Sequence, residues 1–99
     1  MNGSICQGIA SLRLLAFDYE GHPRVVAPYC HGFTRGGESL RAIQVRGTSR
    51  SGRFGDGKLW TVSKMRGLRV LDEPFAPDDP NYNPDDSAMI RVHCRAVRG

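Results

Sequence analysis

The chain has 99 residues, 39% of them hydrophobic and 24% charged, and its formal net charge is +4. A chain of this length forms one domain that buries about two-thirds of its unfolded surface, and this composition excludes plain disorder. No apolar run approaches the roughly 20 residues that span a bilayer, and residues 1–11 lack the basic and apolar blocks of a signal peptide. We therefore expect a soluble, cytoplasmic single domain with no membrane partner.

Short strands separated by turns are predicted along the first 71 residues, after one helix candidate at residues 4–12 that Gly8 weakens. The predicted strands are residues 12–19, 24–33, 40–45, 59–62 and 68–71. In the second strand, alternation places four side chains on one face: Val25, Ala27, Tyr29 and Phe33. Residues 34–37, Thr-Arg-Gly-Gly, predict a tight hairpin turn because paired glycines tolerate positive φ. The close spacing predicts a mainly β fold, either a small barrel or a sandwich.

The last third of the chain divides into two unlike segments. Residues 72–87 carry four prolines, so we expect them to run extended over the surface without joining a ladder. Residues 88–97 alternate, which predicts a sixth strand that returns to its own barrel or pairs with a neighbour's edge. Its predicted core face carries Ile90, Val92, Cys94 and Ala96. The expected domain thus spans residues 1–99, with a barrel body at 12–71, an acidic arm at 72–87 and a C-terminal strand at 88–97.

The charge is unevenly distributed along the sequence. Residues 1–71 hold eleven Lys/Arg against four Asp/Glu, a net charge of +7, whereas residues 72–86 hold six acids and no base, a net charge of −6. Twelve of the fourteen bases are Arg, whose planar fork suits bidentate contacts to phosphate. A basic body with a separate acidic segment indicates an anionic partner, or a body screened by its own tail. Coding bias in a GC-rich genome would produce the same composition.

Three cysteines lie far apart in the sequence, at Cys6, Cys30 and Cys94. An odd number without a CxxC motif predicts no disulfide framework and fits a reducing cytosol. Cys30-His31 and His93-Cys94 together would offer four zinc ligands. If both pairs lie on strands, however, only one member of each can reach a shared metal, because adjacent side chains point to opposite faces. We therefore expect neither a metal nor a cofactor.

No catalytic motif stands out, since the sequence has no GxSxG, no HExxH and no pair of carboxylates suited to acid–base chemistry, and we expect no enzyme. Residues 46–58 form a Gly- and Ser-rich basic loop that favours phosphate binding, or is simply solvated. Bases on strands would be held in place for binding, or would merely face solvent. The predicted phosphate-binding residues are Arg24, Arg41, Arg50, Arg53 and Lys58. Trp60 and Tyr29 are possible stacking surfaces for a base, with core packing as the alternative.

Residues 18–29, Asp-Tyr-Glu-Gly-His-Pro-Arg-Val-Val-Ala-Pro-Tyr, resemble the opening of WYL domains, where a Tyr-ending strand, a turn and an Arg-Val-x-Pro strand follow one another. Residues 37–42 fall where that family has its Trp-Tyr-Leu strand, with Glu38 and Ser39 in place of the Trp and Tyr. Residues 59–65 resemble the family's aromatic strand, which ends in Asp-Arg-Ile, and residues 68–71 resemble the strand that closes its barrel. The resemblance covers residues 12–75.

This resemblance implies a small Sm-like, strongly bent five-stranded β-barrel, here with an additional C-terminal strand. WYL domains are bacterial, are usually appended to winged or helix-turn-helix transcription regulators or to defence proteins, and are thought to sense nucleic acid or nucleotide-type ligands through a basic groove. Carried over by position, the groove involves Arg24, Arg41, Lys58 and Lys64, with Trp60 at the aromatic place. With about eleven residues before the barrel, we expect a stand-alone or truncated member.

Two functions from different classes follow. The first is a non-enzymatic, WYL-like domain that recognises nucleic acid or a nucleotide-type phosphate ligand through its basic groove. The alternative is a protein-interaction or homodimerisation module that uses strand 88–97 and the acidic arm. In one form of this alternative, the arm covers the basic groove and competes with ligand.

Overall fold

The computed structural model describes residues 2–47, 57–76 and 89–96, and within them the chain is mainly β. The elements are α1 (Asn2–Ser11), β1 (Arg13–Tyr19), β2 (His22–Thr34), β3 (Gly37–Gly47), β4 (Gly57–Thr61), a short 3-10 helix (Val62–Lys64), β5 (Arg66–Pro74) and β6 (Arg91–Arg95). The predicted mainly β class, the helix and all six strands are confirmed. No helix in the described part of the chain is long and apolar enough to span a bilayer.

The strands form one antiparallel sheet in the order β4-β3-β2-β1-β5, and this path is not closed. The long strand β2 pairs with β3 along one edge, from Arg24 to Thr34. Its other edge pairs first with β1 and then, from Cys30 to Phe33, with β6. The sixth strand therefore pairs within its own chain, as a continuation of the edge that β1 occupies.

Glycines make two of these connections possible. Gly37 has a φ of +106° at the β2–β3 turn, which confirms the predicted hairpin. Gly32 lies where β2 meets β6, and a Cβ at this position would overlap the backbone carbonyl oxygen of Arg91. The close approach of these two strands therefore requires a residue without a side chain.

The core is formed by buried apolar residues of the helix and of the first four strands. Ile5 and Ile9 of α1 are fully buried, and Gly8 between them lets the helix approach β1. A Cβ at Gly8 would lie 2.6 Å from Leu15 Cδ2. A larger residue at position 8 would therefore require the Leu15 side chain to shift, so the glycine that weakens the predicted helix suits the packing of α1 on β1.

Three details of the sequence prediction are wrong. Residues 26–32 of β2 are all buried, so its apolar pattern is not one-sided, because α1 and β6 also pack on this strand. Residues 72–74 do join a ladder: Pro74 ends β5 opposite Arg13, a strand-end position that proline tolerates. Ile90 and Val92 are 70% and 37% exposed, so the predicted apolar face of residues 88–97 does not reach the core as a whole.

Residues 77–88, most of the predicted acidic arm, lie outside the described residues.

Candidate functional site

Two cations lie against the ring of Trp60. The guanidinium carbon of Arg24 is 5.4 Å from the ring centroid, and the ammonium nitrogen of Lys58 is 5.5 Å from it. Lys58 and Trp60 are two residues apart on β4 and therefore share a face of the sheet, while Arg24 lies on β2. Both distances fall within the range of cation–π attraction, which is strongest for Trp.

The ring of Trp60 is held from several sides and is only 1% exposed. Its indole N–H donates to the backbone carbonyl of Ala42 over 3.2 Å. Phe17 and Tyr19 meet it edge to face, with centroids 5.4 and 5.0 Å away. The Tyr19 hydroxyl in turn accepts a hydrogen bond from the backbone N–H of Thr61 over 3.1 Å. The position of the indole is thus fixed by neighbours on β1, β3 and β4.

Arg24 is buried beneath these rings, with a side chain only 2% exposed. Its guanidinium donates to the Gln44 side-chain oxygen and to the backbone carbonyl of Tyr19, both over 3.2 Å. The Glu20 carboxylate lies 3.8 Å away. The Nε atom has no hydrogen-bond partner in the described part of the chain. Arg24 therefore holds the aromatic cluster in place, and a phosphate can reach it only after other side chains move.

The remaining predicted site residues are dispersed. Arg41 pairs with Leu59 on β4 while its neighbour Leu40 pairs with Trp60, so Arg41 projects from the opposite face. Lys64 is exposed in the 3-10 helix. Tyr29 is 3% exposed and packs on Phe75 with centroids 5.5 Å apart. Arg50 and Arg53 lie outside the described residues. The structure thus brings Arg24, Lys58 and Trp60 together and places Arg41 elsewhere.

Two acids at the start of the predicted arm pair with the basic body. Glu73 and Arg46 form two hydrogen bonds of 2.6 Å each, and Asp72 lies 3.1 Å from Arg13. The hydrogen bond from Arg46 lowers the pKa of the Glu73 carboxyl, and the same bond raises the pKa of Arg46. Asp72 and Glu73 thus pair with bases of the body, while screening of the body by the acidic segment as a whole stays a prediction.

A second polar cluster surrounds the buried His31. Cys6 and Cys94 form a disulfide with their Cα atoms 5.7 Å apart, so the prediction that the cysteines stay unpaired is wrong. The Nδ1 atom of His31 lies 3.4 Å from the sulfur of Cys6 and 3.8 Å from that of Cys94. Its Nε2 atom is 2.7 Å from a carboxylate oxygen of Glu38. Sequence spacing missed this cluster because α1 meets β6 only in the folded chain.

A bulge in β6 brings a further histidine to this cluster. His31 pairs with Cys94 but Gly32 pairs with Val92, which leaves His93 as an extra residue between them. The rings of His93 and His31 have centroids 5.4 Å apart. His31 and Cys94 meet at a shared point, but the bulge also places His93 beside His31, so the prediction that only one member of each Cys/His pair approaches this point is wrong for the second pair. Cys30 is buried and is not part of the disulfide.

Comparisons with known proteins return no matching family model, no matching curated protein and no matching solved structure. The geometry and charge of these two clusters are therefore the features that bear on function.

Proposed function

We propose that the chain is a non-enzymatic binding domain that recognises a phosphate-bearing ligand, nucleic acid or nucleotide, with Lys58 as a principal contact. The observation that carries this proposal is the pair of cations on the ring of Trp60. Arg24 is buried and already hydrogen-bonded, whereas Lys58 is half-buried and makes no ion pair with a carboxylate of the described residues. Lys58 is thus a cation held at a fixed place and available to an incoming anion.

We also propose that the sheet belongs to a strongly bent, Sm-like barrel of the WYL type. The strand order β4-β3-β2-β1-β5 follows an N-terminal helix. Tyr19 of β1 bonds to Thr61 of β4, and Arg46 of β3 bonds to Glu73 of β5, although two strands lie between each pair in the sheet order. Contacts of this kind require the sheet to curve, because neighbouring strands are about 4.8 Å apart.

Further bases follow Trp60 along the chain and would extend the contact with a polyanion. Lys64 is exposed four residues after Trp60, and the exposed Arg66 begins β5 opposite Asp18. The Tyr19 hydroxyl bonds to Thr61, just before the 3-10 helix that carries Lys64. The Lys58 side chain would leave the Trp60 ring to donate to a phosphate, at a cost of about 0.5–1 kcal/mol in cation–π attraction. Such binding depends on charge, so it is sensitive to salt and has little sequence preference.

The test is fluorescence anisotropy of a labelled single-stranded oligonucleotide, titrated with protein at low and moderate salt. We expect saturable binding that weakens with salt. In Lys58→Gln, affinity should fall about 2- to 70-fold, because a hydrogen bond to a charged group contributes about 1.5–3 kcal/mol, of which about 0.5–1 kcal/mol offsets the lost cation–π attraction. Arg35→Gln is the matched control: it removes the same charge at the tip of the β2–β3 hairpin, at the opposite end of that ladder from Arg24.

Competition by an unlabelled nucleotide decides between the two ligand classes. Displacement by a mononucleotide at similar concentration identifies a nucleotide ligand, whereas displacement by oligonucleotides alone identifies nucleic acid. Equal losses of affinity in Lys58→Gln and Arg35→Gln would show that binding follows net charge alone, and this result would reject the proposed site.

Homodimerisation is the second candidate, and the exposed apolar residues Ile90 and Val92 favour it. Both lie at the C-terminal strand, where β6 pairs with β2. A dimer formed through them would survive high salt and would be lost in Ile90→Ser together with Val92→Ser, as measured by light scattering after size exclusion. A monomeric parent protein would reject this candidate.

A further inference from the structure

We propose that the reduced chain binds Zn²⁺ through Cys6, His31 and Cys94, with His93 as the fourth ligand, and that the disulfide and the zinc site are alternative states of one centre. The three donor atoms of Cys6, His31 and Cys94 lie within 4.8 Å of one another. They come from α1, β2 and β6, so the fold itself assembles the group. This inference is independent of the proposed phosphate site.

The position of His31 relative to the sulfurs suits a tetrahedral zinc ion. Zinc lies about 2.3 Å from a thiolate and about 2.0–2.1 Å from an imidazole nitrogen, so tetrahedral ligands of these types are about 3.5–3.6 Å apart. The Nδ1 atom of His31 is 3.4 and 3.8 Å from the two sulfurs. The nitrogen therefore already has the required spacing. Once the disulfide is reduced, the sulfurs must separate to about 3.7–3.8 Å, the S···S spacing of the same geometry.

Glu38 selects the form of His31 that a metal requires. Its carboxylate is 2.7 Å from Nε2 of a fully buried imidazole. A carboxylate accepts but does not donate, so Nε2 carries a proton, and the tautomer that can bind a metal here is the one whose lone pair lies at Nδ1, towards the sulfurs. Metal-binding histidines are commonly oriented in this way by a carboxylate on the far nitrogen. Without a metal, Nδ1 faces sulfur, which is a weak hydrogen-bond partner.

The bulge places His93 next to the three donors. His93 is exposed and is not one of the donors that lie within 4.8 Å of one another, so its ring has to turn towards the ion to become the fourth ligand. A regular strand would send His93 and Cys94 to opposite faces, but the extra residue lets both lie beside His31. The centroids of the His31 and His93 rings are 5.4 Å apart, and Phe33 supports the His93 ring with a centroid distance of 5.1 Å. Two thiolates and two imidazoles form a common structural zinc set.

A two-electron exchange links the two states. A dithiol reductant donates two electrons and two protons to the Cys6–Cys94 bond and becomes a disulfide itself. The two thiols formed lose their protons when Zn²⁺ binds, so each zinc bound releases two protons to solvent. In the reverse direction a small-molecule disulfide accepts two electrons from the two thiolates and two protons from solvent, and leaves as two thiols. The Cys6–Cys94 bond is thereby reformed and the ion is released unchanged, since Zn²⁺ has no redox chemistry.

The test uses the full chain, reduced with a phosphine under argon and titrated with Co²⁺ and then with Zn²⁺. We expect one Co²⁺ per chain with a thiolate-to-metal charge-transfer band, displaced by Zn²⁺, and no band in the oxidised protein. Glu38→Gln keeps the four ligands but loses the carboxylate, and affinity for zinc should fall about 10–100-fold. His93→Ala should change the ligand-field spectrum of the cobalt form.

Cys30→Ala is the matched control, because Cys30 is a cysteine outside the cluster. It should bind metal with unchanged stoichiometry. Cys6→Ser should lose the charge-transfer intensity of one thiolate, with folding checked by far-ultraviolet circular dichroism. Absence of the band in the reduced parent protein, unchanged zinc affinity in Glu38→Gln, or loss of the site in Cys30→Ala would each overturn the proposal.

Discussion

Breaking the Cys6–Cys94 bond should destabilise the domain strongly, because the cross-link joins the first helix to the last strand across a separation of 88 residues. In the chain-entropy description, a loop of this length restricts the unfolded chain by about 15 cal/mol/K, which is about 4.6 kcal/mol at 25 °C. Removing a native disulfide from a small domain typically costs about 2–5 kcal/mol. The free energy of unfolding of a domain of this size is about 5–15 kcal/mol, so we expect the melting temperature to fall by about 10–30 °C.

The assay is urea unfolding followed by Trp60 fluorescence, for oxidised protein and for protein reduced in the presence of a metal chelator. The double variant Cys6→Ser with Cys94→Ser should match the reduced protein and should not respond to reductant. Cys30→Ala should still respond to reductant as the parent does, since Cys30 is not part of the disulfide. Coincident unfolding midpoints for the oxidised and reduced parent protein would refute the reasoning.

Two further perturbations test other contacts. Gly32→Ala should detach β6, because the added Cβ would overlap the Arg91 carbonyl oxygen. The rate of amide hydrogen exchange in residues 91–95 should then rise. Gly36→Ala is the control: the nearest atom to its added Cβ is 3.6 Å away, so exchange should stay unchanged. Glu73→Gln should lower the free energy of unfolding at neutral pH by removing the pair with Arg46. Since the hydrogen bond from Arg46 holds the folded pKa of Glu73 below its ordinary value of 4.5, that difference should be full above about pH 4.5 and vanish as the pH falls through the folded pKa. A difference independent of pH would contradict the pairing.

The strands of this fold were predictable because their signals are local. Turn residues such as Gly36 and Gly37 separate apolar runs, and each run became a strand. The strand ends differed by a few residues because ladder pairing continues through polar positions: β3, for example, extends to Gly47. Gly8 lowers the helix propensity of residues 4–12, but a Cβ at this position would meet the Leu15 side chain, so a small residue suits the packing of α1 on β1.

The sites were less predictable because they depend on contacts between distant segments. The sequence identified Arg24, Lys58 and Trp60 as candidates, but burial of Arg24 follows from Tyr19 and Gln44, which no spacing rule relates to it. The disulfide and its histidine also lie outside any local motif. The sequence feature that pointed to this cluster was the two Cys/His dipeptides, Cys30-His31 and His93-Cys94. Regular strand geometry predicted that only one member of each dipeptide could reach a shared metal.

The most direct test of the proposed phosphate site uses the intrinsic fluorescence of Trp60, the only tryptophan in the chain. A single-stranded oligonucleotide is titrated into the protein at low salt while the emission is recorded. If Lys58 leaves the indole ring to bind phosphate, the emission should change saturably, the change should weaken with salt, and it should be reduced in Lys58→Gln but kept in Arg35→Gln. An emission unchanged by oligonucleotide and by mononucleotide would contradict the proposal that this cluster binds phosphate.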